Sequence, residues 1–177
     1  DKLEKEGAEV CVPDLMGFIK YCAFNGEVKA KILKTSKMNA FIYREAIKLI
    51  GMYERHAKNC LAKTRYRNFS SIYDLAENVE GILSTGNQTG EGWFLTGEMI
   101  ELIKDGIENV VCVQPFACLP NHIVGKSVIK KIRNLYPDAN IIAIDYDPGA
   151  SHANQVNRIR LMLSVAKENL ENKDNKE

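Results

Sequence analysis

One short segment concentrates the side chains able to do chemistry: Gln114-Pro115-Phe116-Ala117-Cys118-Leu119-Pro120-Asn121-His122. A thiol, two amides and an imidazole stand there between two prolines. Pro115 and Pro120 restrict the backbone on either side of Cys118 and so fix its direction. A thiolate beside a helix start suits metal ligation or nucleophilic attack. A loop cysteine that only packs is the competing reading of the same residues. The other cysteines, Cys11, Cys22, Cys60 and Cys112, share no CxxC spacing. That argues against a zinc site made by this chain alone and against a disulfide framework. Cys112 falls inside a strand and Cys60 inside a helical apolar stripe, so both read as packing residues.

A second segment, Gly86-Asn87-Gln88-Thr89-Gly90-Glu91-Gly92, is glycine-rich and precedes a helix. Glycines let backbone amides approach an anion, and a helix N-terminus adds a favourable dipole. The spacing is neither that of a P-loop nor that of a dinucleotide fingerprint. Glu91 opposes bare phosphate unless it caps the helix or pairs with a cation, and close backbone packing is the alternative. Asp145 and Asp147 sit at a strand end without the His or Glu partners that a metal site needs.

These segments require elements to position them. Residues 8–12, 109–113 and 140–145 read as short buried strands. Between the last two lies a helical pattern, Val124, Val128, Ile132 and Leu135, with Asn121 as its cap and Pro137 as its stop. Strand, helix and strand in that order form a βαβ unit with parallel pairing. Ligands in open parallel sheets bind beyond the carboxyl ends of the strands. Residues 13–16, 114–122 and 146–152 are the segments expected at that edge. Upstream, Met38, Ile42, Ala46, Leu49, Tyr53, Ala57 and Cys60 make one apolar stripe of a long helix, expected to face the core. Lys63, Arg65 and Arg67 read as its solvated end. Ser71 and Asp74 form a capping-box start. Ser151 caps a final helix carrying Val156, Ile159, Leu163, Ala166 and Leu170.

The expected fold is α/β: a helix-rich, Rossmann-like three-layer lobe with a short, mostly parallel sheet of about three strands. Residues 1–170 read as one lobe and 171–177 as a disordered polar tail. A chain opening partway through a helix that feeds a strand points to a first strand outside this sequence, as in a piece of a larger protein.

At 177 residues, with 45% apolar and 27% charged side chains, the chain suits one soluble domain with its own core. Lys and Arg (24) balance Asp and Glu (23) to a net charge of +1, which gives no basic excess for nucleic acid. No apolar run approaches the ~20 residues of a membrane span. The charged opening residues do not read as a signal peptide, so a cytoplasmic setting is expected.

Taken in order, Gly7-Ala8-Glu9-Val10, the glycine segment running into Trp93, residues 113–122 and Ile144-Asp145-Tyr146-Asp147-Pro148-Gly149-Ala150-Ser151 carry a family likeness. They resemble the C-terminal region of large proteins described as CoA-substrate-specific enzyme activases, related to the 2-hydroxyglutaryl-CoA dehydratases. The likeness covers nearly the whole chain apart from the polar tail.

That resemblance implies oxygen-sensitive iron–sulfur chemistry, a [4Fe-4S] or double-cubane cluster held by cysteines from several Rossmann-like lobes, with ATP-driven delivery of one electron. By position, Cys118 is this lobe's implied cluster ligand. Gln114, Asn121 and His122 lie around it, and Gly90, Glu91 and Gly92 complete the implied cofactor-facing set. Ala117 departs from the glycine expected before the cysteine. The ATPase half is not in this sequence, so the implied partners are the remaining domains of a parent polypeptide, including its ATPase/activase part, and an acyl-CoA substrate. No complete active site is expected here. A docking or regulatory module between activase and dehydratase components, without its own cofactor, is the alternative, and a small-molecule or nucleotide pocket at the glycine loop is a third.

Overall fold

The structure, a computed structural model, describes residues 2–34, 36–68, 70–147, 149 and 151–175. After a single turn, α1 (Lys2–Lys5), come two long helices, α2 (Leu15–Ile32) and α3 (Lys37–Leu61). Asp14 starts α2 by accepting the Gly17 N–H at 2.6 Å, the bond that satisfies an orphan donor at a helix start. Gly26 of α2 lies so close to the Tyr43 ring that an added Cβ would sit 2.6 Å from it, which lets the two helices pack tightly.

Next are α4 (Ile72–Asn78) and α5 (Trp93–Lys104). Ser71 caps α4 by accepting the Tyr73 N–H at 3.2 Å. The final third holds β1 (Asn109–Pro115), a π-helix (Asn121–Lys126), α6 (Ile129–Leu135), β2 (Asn140–Tyr146) and α7 (His152–Asp174). β1 and β2 pair in parallel, from Asn109 opposite Asn140 to Pro115 opposite Tyr146. The molecule is thus helix-rich α/β with a two-stranded parallel sheet.

Two cores share α5. Its Trp93 and Phe94 join Tyr21, Phe24, Ile72 and Leu75 in an aromatic cluster under α2 and α4. The Trp93 indole N–H donates to Asn25 at 3.0 Å, so the buried ring keeps a polar partner. One turn on, Met99, Ile100 and Ile103 pack with Val110, Ile132 and Ile141 beneath the sheet.

Several expectations are corrected. Residues 8–12 form no strand; Val12 is largely exposed, so this segment lacks the burial on both faces that its composition suggested. The helix expected from Asn121 onward is broken into a π-turn and α6, and Asn121 lies inside the first of these. Residues 171–174, read as tail, continue α7. Pro148 and Ala150 of the third strand-end segment, and residues 176–177 of the tail, lie outside the described residues.

The largest correction concerns α3. Met38, Ile42, Leu49, Tyr53 and Cys60, expected in the core, are all exposed. The side of α3 that is buried carries Ile47 and Glu54. Glu54 meets Lys20 of α2 at 2.9 Å, both almost fully buried, and Lys20 also donates to the Ser70 carbonyl at 2.9 Å. A second carboxylate, Glu27, is buried on α2 and held by Lys31 at 2.9 Å, Arg44 at 3.2 Å and the Tyr73 hydroxyl at 3.2 Å. Packing between two helices thus follows these buried ions rather than the strongest apolar stripe. No helix among the described residues is long and apolar enough to cross a membrane.

Candidate functional site at the strand ends

Residues 114–122 leave the carboxyl end of β1 beside the end of β2, since Pro115 and Tyr146 are register partners. The Cys118 N–H donates to the Pro115 carbonyl at 3.2 Å, closing a four-residue turn. Ala117 occupies its third position at φ +55°, where a left-handed backbone favours glycine. The glycine expected at this position therefore has a conformational reason, and Ala117 holds the same shape under strain.

The turn half-buries Cys118. The Asn121 side-chain amide donates to the Cys118 sulfur at 3.0 Å. Asn121, read as a helix cap, is instead buried in the π-turn with its side chain committed to that thiol. The Thr96 hydroxyl of α5 donates to the Val124 carbonyl at 2.7 Å and fixes the π-turn from below. Single π-turns are rare and concentrate at functional sites because they re-aim side chains.

Gln114 and His122 are placed differently from Asn121. Strand alternation sends Gln114 inward with Cys112, where its amide donates to the Cys112 sulfur at 3.1 Å. Its carbonyl oxygen is buried without a partner among the described residues. Gly125 packs against this pair, for an added Cβ would meet the Cys112 sulfur at 3.1 Å. Burial pushes the Cys112 thiol up, with the Gln114 bond opposing, as expected of an unreactive packing cysteine. His122 connects to Cys118 through the main chain, its N–H donating to the Cys118 carbonyl at 3.2 Å.

The glycine segment abuts the cysteine loop. A Cβ on Gly90 would come within 2.8 Å of Pro120, and one on Gly92 within 2.0 Å of the Asn87 carbonyl. Both glycines have positive φ. The Gly90 carbonyl accepts the Tyr21 hydroxyl at 2.9 Å. At the start of α5 the amides of Gly92, Trp93 and Phe94 donate to Thr89, Asn87 and Glu91 carbonyls. Those donors are used by the loop itself, so the geometry of Gly90 and Gly92 serves close packing and leaves these amides unavailable to an anion. Glu91 is half-buried beside them.

Asn121 also lines a cavity of about 950 Å³, within the size range of small-molecule sites. Its walls are residues 109–113 of β1, residues 8–13, one face of α5 including Leu95 and Met99, and Ile159, Met162 and Leu163 of α7. Glu98 is the acid on that α5 face. Burial, then the negative charges of Asp14 and Glu101, push its carboxyl up to about 8, against the pull of Arg67. Sequence reasoning passed over Glu98; its signal was a single charge within the run 93–100, which is otherwise uncharged. Arg67, read as part of a solvated helix end, clamps α5 instead, at 2.7 Å from Glu101 and 2.6 Å from Asp105.

Among the described residues no three His, Cys, Asp or Glu side chains converge as a metal site. A cluster of iron and sulfide requires a set of cysteines, and the described residues assemble no such set around Cys118. Comparison with protein-family models, with curated proteins and with solved structures gives no match for this chain.

Proposed function

We propose that this chain is the C-terminal lobe of a cytoplasmic 2-hydroxyacyl-CoA dehydratase or activase-type protein, giving one thiolate to a shared iron–sulfur cluster. The observation that carries the reading is Cys118, held in a fixed turn and bonded by Asn121, which also lines the large apolar cavity. An amide donating to sulfur is the kind of contact that tunes a metal-bound thiolate. When bound, such a cluster supplies one-electron reduction in an ATP-driven cycle. Cys118 then serves as ligand, Asn121 orients its sulfur, and the cavity accommodates the acyl part of a CoA ester. In this reading the two strands belong to a Rossmann-like three-layer lobe, whose remaining ligands and ATPase part come from the parent polypeptide.

The test is iron content and cluster absorption in the anaerobically reconstituted parent. Cys118→Ser is expected to lower both, and Asn121→Ala to shift the reduction potential while iron is retained. Unchanged iron and absorption in Cys118→Ser overturn the ligand assignment.

A second reading, a docking module without its own cofactor, is favoured by a separate observation: the apolar stripe of α3 faces solvent.

A further inference from the structure

β1 has β2 on one edge only, and the large cavity lies along the other. The Asn140 N–H donates to the Glu108 carbonyl at 2.8 Å, which together with the register sets the phase of the ladder. Val110 and Cys112 therefore turn both main-chain groups toward β2, and Val111 and Val113 turn theirs away. Among the described residues nothing bonds the N–H or C=O of Val111 or Val113. Residues 109–113 all line the cavity. Strand side chains alternate between faces, so five consecutive residues share one wall only where that wall is the strand's edge. Residues 8–13 form the facing wall. Residues 9–12 also make no main-chain hydrogen bond among the described residues.

The remaining two walls are helices on opposite faces of the sheet. α5 packs on the face carrying Val110 and Cys112 and offers Leu95, Met99 and Leu102. On the other face the Asn140 side chain donates to the Met162 carbonyl of α7 at 3.0 Å, and α7 offers Met162, Leu163 and Ala166. Glu98 is the one acid on these two walls. Two backbone edges and two apolar covers have the cross-section of a strand position in an α/β sheet, where parallel strands are covered on both faces. Along β1 the slot runs five residues at ~3.3 Å each, or ~16 Å.

These walls discriminate among occupants. An acyl chain laid along the slot satisfies the covers but leaves the Val111 and Val113 groups dry and unpaired, which is costly. A second copy has residues 8–12 as its own unpaired segment, and these would carry the Glu9 carboxylate between the two apolar covers. Closure by the chain's own residues 8–12 is opposed at both ends. Glu6 pairs with Arg160 of α7 at 3.5 Å, and Asp14 is held at 2.6 Å as the cap of α2. An extended peptide with apolar side chains on both faces meets all four walls.

We infer that the cavity beside β1 accepts such a segment as a further parallel strand, between β1 and residues 8–12. The inference rests on the reading of this chain as one lobe of a larger polypeptide, which supplies the strand, and it is independent of Cys118. The end of the cavity by Asn121 lies beyond the carboxyl ends of the strands and remains for the acyl group.

A designed strand peptide of roughly seven residues, valine and isoleucine between terminal lysines, tests it on the full chain. Its twin is N-methylated at alternate residues, which removes the donors of one edge and keeps the apolar surface. Binding is read by fluorescence anisotropy and by amide hydrogen exchange. The unmethylated peptide is expected to bind at least tenfold tighter than its twin and to slow exchange at Val111 and Val113 at least tenfold. The amides of Val110 and Cys112, bonded to β2, are expected to be protected without peptide. Val111→Pro removes one slot-facing donor without breaking a bond to β2, and is expected to weaken binding at least tenfold with unchanged circular dichroism. Ala166→Trp fills the slot from α7 and is expected to abolish binding. Equal binding of the two peptides, or no protection of Val111 and Val113 at ~1 mM peptide, overturns the inference. Decanoate that binds equally well to the wild type and to Val111→Pro, while the peptide does not bind, overturns it in favour of an acyl site. Protection of Val111 and Val113 in the free chain also overturns it, by closure of residues 8–12 in a monomer or by exchange between copies in a dimer, which sedimentation separates. Cys118→Ser is expected to leave peptide binding unchanged while it lowers iron in the parent, so failure of either assignment is seen apart from the other.

Discussion

The sheet half and the α2–α3 hairpin bury opposite kinds of residue. Around β1 and β2 the interior is Ile100, Val110, Ile132 and Ile141, with apolar residues inside as composition dictates. Between α2 and α3, Lys20, Glu27 and Glu54 are inside, and Met38, Leu49 and Tyr53 are outside. The sheet half gains stability from apolar area removed from water. The hairpin spends part of that gain desolvating charges, which attraction repays only when every charge stays paired. It follows that the hairpin tolerates change on its outer face and little on its inner polar contacts, whereas the sheet half responds to lost volume.

The largest effect is expected from unpairing the hairpin. Glu54→Gln leaves the Lys20 ammonium buried without its counter-ion and is expected to lower stability by ~3–5 kcal/mol in urea unfolding. Lys20→Met with Glu54→Leu is expected to recover most of that loss. If the single variant matches wild type, the buried pair does not define this half.

The pH dependence also separates the two regions. Glu98, on the cavity face of α5, has a folded value of about 8 against an ordinary 4.5. The native state therefore binds the extra proton between these values, and stability falls as pH rises from about 4.5 to about 8. Glu27 behaves oppositely: burial raises its carboxyl, but Lys31, Arg44 and Tyr73 prevail and hold it below the ordinary value. Its contribution is present above the ordinary value and is lost as pH falls through the lowered one. Glu98→Gln is expected to flatten the upper slope and leave the acid limb intact. A slope that persists in Glu98→Gln contradicts the assignment.

A smaller effect is expected at the turn bearing Cys118. Ala117→Gly removes the strain of φ +55° and is expected to stabilise by ~1 kcal/mol, read as a raised urea midpoint at constant slope. A loss of stability means that the alanine methyl packs usefully in the turn.

How far the site was legible differs residue by residue. Cys118 was singled out from residue type and from the prolines around it, because local backbone restriction is written in sequence, whereas Asn121 was read as a helix cap and its bond to the Cys118 sulfur depends on the π-turn. Gln114 stands in the same motif, yet strand alternation turns it away; a motif names residues but not the face each one takes. Glu98 was passed over because two of the charges that act on it, Asp14 and Arg67, come from segments distant in sequence.

By itself the sequence determined the paired strands and the starts of α3, α4, α5 and α7, since hydropathy period and caps act over a few residues; α2, read as a strand-end segment and loop, and the close contacts that require glycine at 90 and 92 came only with the tertiary structure. Tertiary structure decided which side of α3 is inside. A 3.6-residue period marks an apolar stripe, but only the position of Lys20 and Glu27 on α2 selects the face that packs. It also decided that residues 8–12 remain unpaired, because a strand needs a neighbouring edge at hydrogen-bonding distance as well as the right composition.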